Sequence, residues 1–337
     1  MLAVLNKVGC EMKIAYYPEN TGTNDYSNRF KHILSQFGEV EGVSFKSIVK
    51  RFTKFKFHRY DVIFINWLDS GIIDNQGKVR NSLMVKAILK IILFKIVAKK
   101  VIYVRHNLYP HGTQIEDSSR AKRYADFLMK ISGMGVVHSP VAATVDMHYI
   151  PHPLYKTDNE FIQGELLSDD KKDSFVFFGR INKYKKLEEL ITKFPLDKKL
   201  IIAGSYDDES YVEKLKSISS DNISILAGYI DDVTAEKLIS SSQGLIICHA
   251  DPDMIVSGSF FYALSVKSRI ICVETDFLRW ANNIFGDNVV VCFKDIDDLR
   301  DKISSLPPVK EFDHDVVKLI KDNFGQVVIT EKIKSLI

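Results

Sequence analysis

Two stretches of this chain place anion-binding residue types where a backbone could use them. In one, Asp251-Pro252-Asp253-Met254-Ile255-Val256-Ser257-Gly258-Ser259 follows an apolar run at 245–248 and leads into a helix-like segment that ends before a second apolar run at 270–273. Strand, polar loop, Ser-Gly-Ser, helix, strand is an order that leaves free N–H groups at a helix N-terminus beyond the carboxyl end of a strand, a ready anion site. Gly258 lets a ligand approach the backbone closely, and the Ser257 and Ser259 hydroxyls either cap the helix or donate to a phosphate. In the other stretch, Phe177-Phe178-Gly179-Arg180 ends an apolar run and Lys183, Lys185 and Lys186 follow within six residues of Arg180. Two cations, Arg180 and Lys185, converging on a helix N-terminus would neutralise a diphosphate without a metal. The plainer alternatives are an ordinary Ser cap and a solvated, lysine-rich helix start.

Positioning such groups takes an open parallel sheet. The 337 residues suffice for two domains. Short apolar runs alternate with helical periods throughout, as in parallel sheets covered on both faces. In the first half strands are predicted at 13–18, 40–46, 60–67, 100–107, 134–139 and 148–151, with helices at 25–37, 81–98 and 117–131. In the second half strands fall at 175–178, 200–204, 223–226, 245–248, 270–273 and 289–292, with helices at 186–194, 210–219, 234–242, 258–266, 277–285 and 296–304. The predicted fold is α/β, with two Rossmann-like doubly wound domains facing a cleft where the strands' carboxyl ends bind ligands. The domains are predicted at 1–155 and 174–310, joined by a polar linker at 156–173 and followed by a helical segment at 311–337 that packs back toward the first domain. The first eleven residues read as an extension without the pattern of a secretory signal.

Charge and cysteine usage narrow the partners. Residues 1–150 hold 22 Lys+Arg against 12 Asp+Glu, or +10, whereas the remainder holds 24 against 31, or −7. A basic first half suits an anionic partner, such as a membrane surface or a lipid phosphate. Lys46, Lys50, Arg51, Lys54, Lys56 and Arg59 interleave with Phe52, Phe55 and Phe57, a pattern fitted to an anionic membrane or a lipid-linked phosphate. Residues 81–100 alternate apolar groups with Lys86, Lys90 and Lys95, and read either as a Rossmann helix with exposed lysines or as a membrane-surface helix. Cys10, Cys248, Cys272 and Cys292 show neither zinc nor disulfide spacing and are read as reduced core residues of a cytosolic protein. Helix-turn-helix, zinc-ligand and aromatic RNA-binding patterns are lacking, so no nucleic-acid partner is expected.

Gly179-Arg180 with Lys185 resembles the G-R-x4-K motif of GT-B glycosyltransferases, particularly the family-4 type, and Ser257-Gly258-Ser259 with Tyr262-Ala263-Leu264-Ser265 resembles a segment of some bacterial polysaccharide members. Asn24-Asp25-Tyr26-Ser27, Phe64-Ile65-Asn66-Trp67, Arg105-His106-Asn107-Leu108-Tyr109-Pro110-His111 and Tyr149-Ile150-Pro151-His152-Pro153 are similar to segments of the same enzymes, in the same order, so the resemblance spans nearly the whole chain from Met12. It implies a metal-independent hexosyltransferase that needs no cofactor and extends a polyprenyl-pyrophosphate-linked glycan with sugar from a UDP- or GDP-sugar. The setting it implies is capsule, O-antigen or exopolysaccharide synthesis on the cytoplasmic face of a bacterial membrane. By that likeness Arg180 and Lys185 grip the donor diphosphate, Ser257, Gly258, Ser259 and Asp253 bind phosphate or donor sugar, and Tyr229 and Tyr262 lie near the nucleoside. His106 takes the place of the family's sugar-facing histidine, and His111 and Asp25 are alternative bases. Where the family has E-x7-E, this chain has Met254 and Tyr262, with Asp251 or Asp253 the candidate replacement for the first carboxylate; Lys267-Ser268-Arg269 stands where Gly-Lys-Pro is common. A nucleotide-sugar epimerase on the same scaffold and a non-catalytic sugar-nucleotide-binding protein are the alternative functions.

Overall fold

A computed structural model of the chain describes residues 12–22, 24–53, 59–163, 174–251 and 253–337. Cys10, the Phe52 side chain, Lys54 to Phe57, Pro252 and residues 164–173 of the expected linker lie outside the described residues. The chain divides into two compact units, one of residues up to 137 with 143–150 and 330–337, the other of 138–142 and 151–329.

Unit 1 is built on β1 (Met12–Tyr17), β2 (Gly38–Gly42), β3 (Tyr60–Asn66), β4 (Ala98–Arg105), β5 (Met134–Val137) and β6 (Met147–Tyr149), with α1 (Asp25–Leu34), α2 (Phe45–Thr53), α3 (Asn81–Val97) and α4 (Ser118–Ser132) on its faces. All strand pairs are parallel, in the order β2-β1-β3-β4-β5-β6. The central strands are apolar on both sides: Val62, Ile63, Phe64 and Ile65 of β3 have no exposed surface. Chain order reverses between β1 and β3, which makes the carboxyl ends of those strands the switch point of the sheet.

Unit 2 carries β7 (Ser174–Phe178), β8 (Lys199–Gly204), β9 (Ile223–Ala227), β10 (Gly244–Ile247), β11 (Ile270–Val273) and β12 (Val290–Phe293). They too are all parallel, in the order β12-β11-β10-β7-β8-β9, so its switch point lies between β7 and β10. Its helices are α5 (Asp158–Gln163), α6 (Leu187–Lys193), α7 (Glu209–Ile218), α8 (Asp232–Ser240), α9 (Gly258–Ser265), α10 (Asp276–Phe285), α11 (Ile296–Ile303), α12 (His314–Phe324) and the start of α13 (Gln326–Lys334). Side chains of Asp208, Asp231, Thr275, Asp295 and Asp313 cap α7, α8, α10, α11 and α12, each accepting from the backbone N–H three residues on.

Two expectations are corrected. The strand predicted at 40–46 stops at Gly42, and α2 begins at Phe45, because Ser44 and Ser47 bond reciprocally (Ser47 N to Ser44 Oγ 3.1 Å, Ser44 N to Ser47 Oγ 2.8 Å) and start a helix. Residues 158–163 of the expected linker form α5, opened by a box in which Thr157 N donates to Glu160 Oε2 (2.6 Å) and Glu160 N to Thr157 Oγ1 (3.2 Å). Phe161 of α5 is wholly buried in the core of unit 2, and Lys156 pairs with Glu236 at 2.8 Å. At the other end of the chain, residues 330–337 pack in unit 1, where Thr330 Oγ1 donates to Gln36 Oε1 (3.2 Å) and Lys100 Nζ to Leu336 O (2.6 Å).

The exits of β7 and β8 touch backbone to backbone. Gly179 N donates to Ala203 O (3.1 Å) and Ile181 N to Ser205 O (2.7 Å), prolonging the ladder beyond both strands. Gly204 has φ +144°, and a Cβ built on it would lie 1.9 Å from Gly179 O, so no side chain fits there. Gly204→Ala is therefore expected to cost about 3 kcal/mol or more, through backbone strain and separation of the two strand ends. A lowered urea midpoint at unchanged slope is the expected readout, and a wild-type midpoint would contradict it.

Candidate functional site

At the switch point of unit 2, Ser259 Oγ donates to Phe178 O at 3.1 Å, and a Cβ on Gly179 would sit 3.4 Å from that same hydroxyl. The first turn of α9 thus lies directly over the end of β7. Ser257 occupies the N-cap but makes no capping bond; it is 4% exposed, and its Oγ has no hydrogen-bond partner. The cap reading of this serine is not realised. A buried hydroxyl without a partner costs on the order of 1–3 kcal/mol, a cost that an anion at the α9 N-terminus would remove. Gly258 is exposed, and the Tyr155 hydroxyl lies 3.2 Å from where its Cβ would be.

Lys185 reaches the same region from the turn after β7. Its Nζ lies 2.8 Å from His249 Nε2, just past the carboxyl end of β10, and its carbonyl accepts from Cys248 Sγ at 3.0 Å. An ammonium only donates, so His249 accepts at Nε2 and carries its proton on Nδ1. Burial lowers the Lys185 pKa to about 8, against the opposing pull of the Cys248, Asp251 and Asp253 side chains. Asp253 is itself 6% exposed. Carboxylates beside the lysine are acceptors suited to sugar hydroxyls, while the lysine and the helix terminus suit phosphate oxygens.

The remaining second-half candidates are placed differently from one another. Arg180 is exposed and its Nη1 donates to Asp207 Oδ2 at 2.9 Å, in the loop after β8, while Lys183 pairs with Asp208 at 3.5 Å. Of the two cations read as converging, Lys185 is half-buried at the switch point and Arg180 is held by an acidic loop. Tyr262, one turn into α9, packs its ring against Phe178 (5.1 Å) and Tyr155 (5.7 Å). Tyr229 follows β9, two strands from β7 or roughly 10 Å, and is 84% exposed.

Unit 1 assembles a separate cluster at its own switch point. His106, after β4, has Nε2 3.0 Å from Asn66 Oδ1, and Asn66 Nδ2 donates to Tyr17 O at 3.2 Å. With the amide nitrogen so engaged, Oδ1 is the acceptor and His106 donates from Nε2. The imidazole stacks on Trp67 (4.4 Å, 13°) and meets Tyr26 edge-on (4.9 Å, 90°). Trp67 holds φ +50°, the left-handed region that an aromatic residue rarely adopts. Arg105, 1% exposed, fixes the loop carrying His106 by donating to Asn107 O (3.1 Å), to Leu108 O and to Asp126 Oδ1 (2.5 Å). Asp25 lies in the first turn of α1, half-buried and next to Tyr26; His111 is exposed in the following turn, within electrostatic reach of buried Asp69.

Sequence reasoning missed His249, Tyr155 and the anchoring role of Asn66. A polar residue just past the β10 apolar run was the available signal for His249; Tyr155 had none.

Comparison by sequence finds no matching family model and no matching curated protein. Solved structures do match over almost the full length. AviGT4, a glycosyltransferase involved in avilamycin A biosynthesis, is similar at TM-score 0.56 and 14% identity, covering 96% of each chain. An α-glucosyltransferase bound to UDP and a 13-mer DNA is similar at 0.59 and 11% identity, over 97% of this chain and 99% of that one. An α,α-trehalose-phosphate synthase (UDP-forming) from Burkholderia xenovorans, bound to glucose-6-phosphate, is similar at 0.55 and 11%, over 94% and 85%. These likenesses establish the fold, the two-unit parallel α/β architecture of the GT-B type.

The lysine gives a test through stability. Its folded pKa of about 8 lies below the ordinary value of 10.5, so burial of the ammonium destabilises the protein fully below pH 8 and is relieved as pH rises toward 10.5. Between those limits the unfolded chain binds more protons, and stability from this group rises with pH by up to ~3 kcal/mol. Lys185→Met lacks that term. Wild type is expected to gain on the variant in melting temperature between pH 8 and about 10, and a constant gap would contradict the lowered pKa of Lys185.

Proposed function

We propose that this chain is a glycosyltransferase that takes its sugar from a UDP- or GDP-sugar seated at the switch point of unit 2. The observation that carries the reading is the buried Ser257 hydroxyl at the α9 N-terminus, which lacks a partner, and the half-buried Lys185, bonded to His249 past the end of β10, belongs to the same sheet end. In this reading the α9 amides, Ser257, Ser259 and Lys185 hold the diphosphate, and Arg180 releases Asp207 to join them. Asp251 and Asp253 receive sugar hydroxyls in place of the missing E-x7-E glutamates, and no metal is required. Support comes from the neighbours, two of which are named as glycosyltransferases and one as a UDP-forming synthase.

The acceptor is assigned to unit 1. Its hydroxyl attacks the anomeric carbon, the bond from that carbon to the diphosphate oxygen breaks, and the electron pair leaves with the nucleoside diphosphate. The acceptor proton passes to a base, for which His106 is the leading candidate and His111 and Asp25 the alternatives. Because His106 donates from Nε2 to Asn66, the lone pair of its neutral ring is on Nδ1, the atom that would take the proton. Stacking on Trp67 and the edge contact with Tyr26 fix the ring plane for that task. We further propose a polyprenyl-pyrophosphate-linked acceptor in bacterial surface-polysaccharide synthesis, on the cytoplasmic face of the membrane.

Arg180 provides the test. Its ion pair is exposed on both sides, so Arg180→Ala should alter stability by no more than ~1 kcal/mol. Turnover of the nucleotide sugar that wild type uses, followed as nucleoside diphosphate release, is expected to fall by 100-fold or more, on the order of 3 kcal/mol of transition-state binding. Wild-type turnover by the variant would remove Arg180 from the reading. An altered nucleotide sugar formed without acceptor would identify an epimerase instead.

A further inference from the structure

The helix α3 is apolar on two opposite faces. One face, with Ala87, Ile91, Phe94 and Val97, is buried in the core of unit 1. The other presents Val85, Leu89, Ile92 and Ile96, which are 53%, 55%, 49% and 57% exposed. Their 4-3-4 spacing sets them in one row about 17 Å long. Lys86 lies about 100° to one side of the row and Lys95 about 80° to the other; both are exposed, and among the described residues neither has a salt bridge. Lys90 is different, since its ammonium is held by the Tyr17 hydroxyl at 3.2 Å.

The row continues onto α4. Between the two helices runs an open groove of about 670 Å³, lined by Met84, Val85, Tyr124, Phe127 and Arg123 and by Arg120, which donates to Asn81 Oδ1 (2.5 Å) and pairs with Asp117 (3.8 Å). Phe127 is 46% exposed. Apolar side chains at the centre with guanidinium and ammonium groups around them make a surface that is hydrophobic in the middle and positive at its margin, within a half of the chain that carries +10. An isologous pairing of two copies would bring Lys86 and Lys95 rims of equal sign together, which disfavours a second copy as the cover. An anionic bilayer complements both parts, taking the apolar row among its acyl chains and the cations among its phosphates.

We propose that the α3–α4 face of unit 1 is a membrane-docking surface that lies flat on a bilayer containing anionic phospholipid. No described helix is long and apolar enough to cross a membrane, so the attachment is peripheral and reversible. Of the two membrane-facing stretches that the sequence suggested, the surface assigned here includes the helix at 81–100 and not the basic and aromatic stretch at 46–59, of which Lys54 to Phe57 lie outside the described residues. There Arg51 is bound to Glu41 and Tyr60, and Arg59 donates to Ala98 O at 3.2 Å.

Flotation of the full chain with vesicles tests the proposal without any need for donor or acceptor, so its outcome is independent of the sugar-transfer reading. Wild type is expected to float with phosphatidylcholine vesicles that contain phosphatidylglycerol, to stay behind with phosphatidylcholine alone, and to be released by salt. Leu89→Ser with Ile92→Ser, and separately Lys86→Gln with Lys95→Gln, should each lower partitioning by about tenfold or more at unchanged melting temperature. The lysine pair keeps the test decisive should the apolar pair fail to fold. Equal flotation on both vesicle types, wild-type flotation by both variants, or concentration-dependent self-association abolished by the Leu89 and Ile92 changes would each overturn it.

Discussion

The contact between the end of β7 and the first turn of α9 is the constraint on which the candidate site of unit 2 depends. It is short and made mostly of backbone: Ser259 Oγ donates to Phe178 O, Gly179 leaves space for that hydroxyl, and Gly204 leaves space for Gly179. With the helix end fixed there, the first turn of α9 lies over the switch point of the sheet. Lys185 and His249 enter from β7 and β10 respectively, so the strands that the topology separates in sequence supply the two halves of one polar cluster.

A half-buried ammonium bonded to a neutral imidazole is an arrangement that costs stability. Two carboxylates nearby offset part of that cost without removing it, as the lowered pKa of Lys185 records. The Ser257 hydroxyl, buried without a partner at the α9 N-terminus, adds to that cost. Groups kept at such a cost are the ones a dianionic ligand would relieve. In unit 1, His106 is bonded to Asn66, whose amide donates to Tyr17 O, and Arg105 holds the loop that carries the imidazole. A rigid ring with a defined tautomer suits proton transfer better than anion capture.

Much of this was legible in the sequence. Central strands such as 62–65 are apolar throughout, and alternation with helical periods gave both sheets their strand count. Gly179, Lys185 and Ser257 to Ser259 could be placed at strand ends and a helix start because Gly and Ser at those transitions have few other uses. Pairings between side chains distant in sequence were not legible. Nothing in Arg180 itself announces Asp207, 27 residues on, and His249 gains meaning only once β10 is known to adjoin β7. Capping by Thr157 with Glu160, and by Ser44 with Ser47, was written in the sequence but hidden inside stretches whose charge or apolar content read as linker and strand. The exposed row on α3 was obscured for a related reason: two apolar faces cancel, and periodicity alone does not say which one the core takes.

The central proposal, that the half-buried Lys185 ammonium and the α9 N-terminus form a seat for a nucleoside diphosphate, is tested most directly by calorimetric titration of UDP and GDP between about pH 7 and about pH 9. If the ammonium is required, affinity for the nucleotide that binds falls about tenfold across that interval, as the free lysine loses its proton near pH 8. Protons are taken up on binding at the upper end, and Lys185→Met binds weakly at every pH. Affinity that does not change with pH, or a Lys185→Met variant that binds as wild type does, would contradict the account.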